Sequence, residues 1–166
     1  MWALDPVRTA VLSLDIQTAL VAIYTKQSPE FVPTVASVIA HTRKVLASLL
    51  HVRVGFQPGF PEISERNRFR AAMNSNPQHR VSAFYGTDLG IVLRSKEIDT
   101  LALFGIATSG VVLSTVLEAA DLDYQVFVVM DCCADLDADV HSCVLDKLFS
   151  RRATVLTAAD LIDSLN

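Results

Sequence analysis

The sequence is short of the residues that usually punctuate or staple a chain: of 166 residues, six are glycine, six proline and three cysteine. The glycines form no dinucleotide fingerprint. After Gly105 the next is Gly110, so the Gly-x-Gly-x-x-Gly spacing that lets backbone approach a pyrophosphate is missing. An oxidoreductase is therefore disfavoured, and no cofactor is expected. Cys132, Cys133 and Cys143 are odd in number, lack zinc-site spacing, and include adjacent residues that do not easily bridge. Free thiols in a reducing compartment follow, which points to the cytoplasm. There is no excess of positive charge: the net charge is −4, giving no electrostatic reason to expect a nucleic acid or an anionic membrane as partner. The local run Arg66-Asn67-Arg68-Phe69-Arg70 reads as a solvated helix face. Met1 to Pro6 lacks the basic and apolar regions of a signal peptide, and no apolar run reaches membrane length. Internal repeats and low-complexity segments are absent too.

What is present is a chain that is 51% hydrophobic and 19% charged, of a length that suits one domain over residues 1–166. Thr9–Leu14, Thr100–Gly105 and Gln125–Met130 are continuous apolar runs, as expected of parallel strands covered on both faces. His51–Phe56 and Ala153–Leu156 are weaker strand candidates. Pro33 to Leu50 has apolar residues near a 3.6 period and reads as a helix. Val111 to Leu122 reads as a largely buried helix. Val140 to Phe149 reads as an amphipathic one, with a cap region at Asp137-Ala138-Asp139, and Asp160 to Leu165 as a short terminal helix. Strands alternating with helices predict an α/β, three-layer Rossmann-like domain with a mostly parallel sheet.

In such sheets ligands bind beyond the carboxyl ends of the strands. That rule selects Asp15, the segment Gly105 to Gly110, and Asp131 to Asp135. A carboxylate at Asp15, where an apolar strand ends, is partly desolvated, which raises its pKa and suits it to proton transfer. A helix cap or structural hydrogen bond would explain it equally. From Gly105 to Thr115 the chain passes from strand to helix through small residues, whose amides could bind an anion or a developing oxyanion; a tight turn without a ligand is the alternative. Ser109 is not in a nucleophile elbow, and the sequence offers it no evident base.

Asp15-Ile16-Gln17, Val81 to Leu89, Ile98 to Leu101, Gly105 to Thr115 and Asp131 to Asp135 together resemble the isochorismatase-like hydrolases, in order and over nearly the whole chain. The resemblance implies a sheet of about six strands flanked by helices. Amidohydrolases of that superfamily use an Asp–Lys–Cys triad, in which the aspartate is the base and the cysteine attacks an amide carbon. The aspartate matches Asp15, the lysine position falls on Gln78, and the cysteine position falls on Val111. Valine is no nucleophile, and glutamine supplies no cation to stabilise a thiolate, so a thiol mechanism is not expected. Isochorismatases proper hydrolyse a vinyl ether with the aspartate as acid, which Asp15 alone could support, although their accompanying lysine is again missing. Metal-binding relatives carry histidines after the second strand; Gly55 to Glu62 contains none, so no metal site is expected.

Two readings follow. One is a weak or altered hydrolase of a small amide, ester or vinyl ether, with Asp15 catalytic and a pocket formed by Gln17, Phe56, Phe84, Ala107, Thr108 and Gly110. The other is an inactive relative that binds or scaffolds, which a pocket filled by Val111 and Phe84 would favour. His79, beside Arg80, reads as a surface or hydrogen-bonding residue, and a nucleophile relocated to Cys132 or Cys133 is not expected. A homo-oligomer is implied by the resemblance. Two connections read short, Leu50–His51 and Asn74 to Gln78: either the chain is a trimmed relative, or segments of a longer one are joined there.

Overall fold

The computed structural model describes residues 3–53, 64, 66 and 82–166. Its strands are β1 (Thr9–Leu14), β2 (Ser48–Val52), β3 (Thr100–Gly105), β4 (Gln125–Val129) and β5 (Thr154–Leu156). Its helices are α1 (Thr18–Tyr24), α2 (Phe31–Lys44), α3 (Leu89–Ser95), α4 (Leu113–Asp121), α5 (Ala138–Cys143) and α6 (Ala158–Ser164). All four strand pairings are parallel, in the order β2-β1-β3-β4-β5. This is the expected α/β architecture, with five strands among the described residues against about six expected. Among those residues no helix is long and apolar enough to cross a membrane.

Every residue of β1 and β3 is buried, as continuous apolar runs require, whereas edge strand β2 is only half-buried. The bounds of β1 and β3 coincide with the apolar runs, and β4 stops one residue short of Met130. α2 packs against α6, and α4 against β4. The chain leaves β1 for β2 on one side and returns to β3 on the other, so β1 and β3 flank the point where the winding reverses.

Three expectations are corrected. The helix expected to reach Leu50 ends at Lys44, and the second strand begins at Ser48 rather than His51. Leu50 and His51 are consecutive inside β2, opposite Leu12 and Ser13, so no helix-to-strand joint lies there. The punctuation was hidden because Leu46 takes the left-handed position after the helix, with φ 60°. The Leu46 amide donates to the Arg43 carbonyl at 3.3 Å and the Ala47 amide to the Thr42 carbonyl at 3.2 Å, the paired bonds of a Schellman motif. Glu97 (φ 54°) ends α3 and Asp123 (φ 64°) ends α4 in the same way. A position that usually takes glycine is filled three times by other residues.

The second correction concerns Val111 to Leu122, where a turn over Thr108–Val112, non-helical at Gly110, precedes α4. That helix buries one face, Thr115, Val116 and Ala119, and leaves Leu117 41% exposed, so it is not largely buried. Third, α5 starts at Ala138, two residues earlier than expected, because Asp137 accepts hydrogen bonds from the Asp139 and Val140 amides and caps it. Helices α1 and α3 had no counterpart in the sequence reading. The junction from Asn74 to Gln78 lies outside the described residues.

Candidate functional site

The three segments selected from sequence converge at the carboxyl edge of β1, β3 and β4. Leu14 and Gly105 are register partners, and the Ile106 amide donates to the Leu14 carbonyl at 3.1 Å. A Cβ on Gly105 would overlap that same carbonyl oxygen, so only glycine lets the two strand ends approach this closely. Beyond β3 the pairing continues as a bridge between Ile106 and Ala134, and the Thr108 amide donates to the Ala134 carbonyl at 2.9 Å. The peptide bond between Ile106 and Ala107 is cis.

Asp15 follows β1 directly and is 5% exposed. Its amide donates to the Val52 carbonyl at the end of β2, and its φ of 53° lies in the left-handed region that aspartate tolerates better than most residues. The Gln17 side-chain amide donates to Asp15 Oδ1 at 2.9 Å. Gln17 stands at the N-cap of α1 without capping it, because its side chain is turned on the carboxylate instead. An amide donor on Oδ1 suits the carboxylate, and in the acid form it leaves the proton on Oδ2. Asp15 therefore has a fixed orientation as well as burial.

Val111 and Phe84 are buried, at 6% and 9% exposure, Thr108 is fully buried, and Ala107 and Gly110 are partly exposed. The Phe84 segment is tied to α4 by the Ala83 amide, which donates to Thr115 Oγ1 at 3.0 Å, and to the connection between α4 and β4 by a tilted ring contact between Phe84 and Tyr124 at 5.9 Å. Gln78, Phe56 and His79 lie outside the described residues.

Two pairs were missed from sequence. Asp135 Oδ2 accepts from both the Ser109 amide, at 2.8 Å, and the Ser109 hydroxyl, at 2.7 Å, so Ser109 does have a carboxylate partner. Thr108 Oγ1 lies 2.8 Å from His141 Nδ1. Both partners belong to the stretch Asp135 to His141, which begins at the end of Asp131 to Asp135, and capping residue Asp137 was the sequence signal that this stretch turns into a helix. The neighbouring thiols are poor nucleophiles: burial pushes Cys133 up to about 12, and burial together with Asp131 raises Cys132 further.

A parallel sheet with a buried, oriented carboxylate where the winding reverses defines the class, an α/β protein of the kind whose ligands generally bind beyond the strand ends. Residues 9–160 match the sequence model of the Isochorismatase domain. The chain thus belongs to the isochorismatase family of hydrolases. It is similar to the uncharacterised isochorismatase family protein YwoC of Bacillus subtilis, 27% identical over 184 aligned positions that cover 98% of this chain and 96% of that protein. With the maleamate amidohydrolase of Pseudomonas putida it shares 31% identity over 84 residues, which are 51% of this chain and 39% of that enzyme. Among solved structures, an isochorismatase family protein of Burkholderia thailandensis superposes with a TM-score of 0.86 at 27% identity, over 99% of this chain and 98% of that one. The nicotinamidase of Staphylococcus aureus has a TM-score of 0.68 at 17% identity, over 90% of this chain and 99% of that one, a likeness of fold alone.

Proposed function

We propose that the protein hydrolyses a small molecule, an amide, ester or vinyl ether, through Asp15 and without a thiol nucleophile. The observation that carries this is Asp15 itself, buried at the end of β1 and oriented by Gln17 beside the reversal point. With Val111 at the position that matches the family cysteine and Gln78 at that of the lysine, water must be the nucleophile. For a vinyl ether, protonated Asp15 gives its proton to the enol carbon and the resulting oxocarbenium ion captures water. The captured water returns a proton to the carboxylate, and the hemiketal collapses to a ketone and an alcohol. For an amide or ester, where an oxyanion would develop instead, the Val111 amide lies on the same edge, whereas that of Gly110 already donates to the Ala107 carbonyl at 3.1 Å. The net charge of −4 supports a small-molecule ligand over nucleic acid or membrane, the free cysteines support a cytoplasmic location, and the family resemblance supports a homo-oligomer.

One observation favours the second reading, an inactive binding or scaffolding protein: Val111 and Phe84 are both buried, as expected of a filled pocket. A screen of amides, esters and vinyl ethers against the wild type and Asp15→Asn separates the two. Turnover by the wild type that falls at least 100-fold in Asp15→Asn supports the proposal. Turnover that survives the substitution refutes the Asp15 mechanism, and none by the wild type favours the scaffold.

A further inference from the structure

The turn over Thr108–Val112 follows β3 at the carboxyl edge of the proposed site, so what holds this turn sets the shape of that edge. A threonine at the start of such a turn commonly spends its hydroxyl on its own backbone. Here Thr108 Oγ1 is directed to His141 Nδ1 at 2.8 Å, from a fully buried side chain to a partly buried imidazole on α5. Valine would fill the same space without needing a partner. The next amide, that of Ser109, is also served from outside the turn, by Asp135. Both ties come from the segment Asp135 to His141, which leaves β4 and enters α5.

We infer that His141 is a positioning residue of this site: its Nδ1 holds the Thr108 hydroxyl and thereby fixes the turn over Thr108–Val112 at the carboxyl edge. The inference rests on the reading of that edge as a hydrolytic site. With Thr108 donating, His141 Nδ1 is the acceptor and the ring proton sits on Nε2. Thr108 is closed off from solvent, so its hydroxyl anchors the turn and the role inferred for His141 is one of geometry.

The test uses the full chain and two readouts. Nitrogen-15 spectra of the imidazoles should show His141 as the Nε2–H tautomer in the wild type, with the Nδ1 signal displaced in Thr108→Val. Amide exchange at Gly110 and Val112, whose amides donate to the Ala107 carbonyl, should accelerate at least 10-fold in Thr108→Val and in His141→Leu, while exchange in β5 stays unchanged. Thr108→Ser and His141→Asn, which keep a polar partner, should return exchange to within about threefold of wild type. On any compound that the wild type turns over, the two disruptive variants should lower kcat at least 10-fold with KM within about threefold, and the double variant should be no worse than either single one. Unchanged exchange at Gly110 and Val112, or an Nδ1 signal that ignores Thr108→Val, overturns the inference whatever the activity. Accelerated exchange in a protein that turns over no compound supports the positioning role and refutes the hydrolytic reading instead.

Discussion

Replacing Leu46 by glycine should stabilise the protein, although it removes a large apolar side chain. Leu46 sits at φ 60° after α2 and is 89% exposed. The left-handed conformation costs an L-residue roughly 1–2 kcal/mol, and glycine escapes that cost. Against the gain stand about 0.4–1 kcal/mol for the greater freedom of glycine in the unfolded chain. A further loss of about 0.3 kcal/mol comes from the tenth of the side chain that is buried. The balance is a gain of about 0.5 kcal/mol, or a rise in Tm of about 1–2 °C for a chain of this length. Leu46→Ala is the necessary control, because alanine loses the same contacts but keeps the Cβ that makes the conformation unfavourable. Urea unfolding followed by circular dichroism should place Leu46→Gly above Leu46→Ala by about 0.8 kcal/mol at unchanged m-value. A glycine variant less stable than the alanine variant would refute the assignment of Leu46 to the left-handed cap. Asp123→Gly should gain less, since aspartate visits this region more readily.

Gly105→Ala should be severe, because the new Cβ would press on the Leu14 carbonyl and part the ends of β1 and β3; thermal unfolding should show a loss of more than about 3 kcal/mol, and a near-neutral effect would contradict the close approach. Iodoacetamide at pH 8 should label exposed Cys143 and spare buried Cys132 and Cys133 until the protein unfolds, as peptide mapping by mass spectrometry would read. The raised thiols also give stability a pH dependence. Unfolded cysteine ionises near pH 9 and folded Cys133 near 12, so their contribution is complete below pH 9 and should be lost between 9 and 12, as melting at stepped alkaline pH would report.

The strands were legible because burial on both faces writes itself as unbroken apolar runs, and in β1 and β3 those runs match the strand bounds to the residue. Helix ends were not. The signal for them is a glycine after the last turn, and this chain uses Leu46, Glu97 and Asp123 instead, stabilised by long-range context that no local pattern records. Helices α1 and α3 are seven residues long and bury only Leu20, or Leu89 and Leu93, too few positions to show a period. Asp15 was legible as a polar residue closing an apolar strand. Its Gln17 partner lies two residues away, but His141 is 33 residues from Thr108 and Asp135 is 26 from Ser109, so those pairings exist only once the edge is assembled.

If Asp15 is the acting group, the three candidate bond types are not equally within its reach. Amide hydrolysis by water needs a base for the water, stabilisation of an oxyanion, and an acid for a poor leaving group, tasks that a thiol nucleophile and its lysine would have divided. One carboxylate must perform the first and the last in turn. Ester hydrolysis relaxes the demand on the leaving group but keeps the other two. A vinyl ether needs a single proton delivered to carbon, after which water adds to an electrophile already formed. Burial of Asp15 and the hydrogen bond that Gln17 donates to its Oδ1 favour that one delivery. If Val111 stands where the family places its cysteine, as proposed, the edge is narrowed toward chemistry in which the acid, not the nucleophile, makes the difficult step.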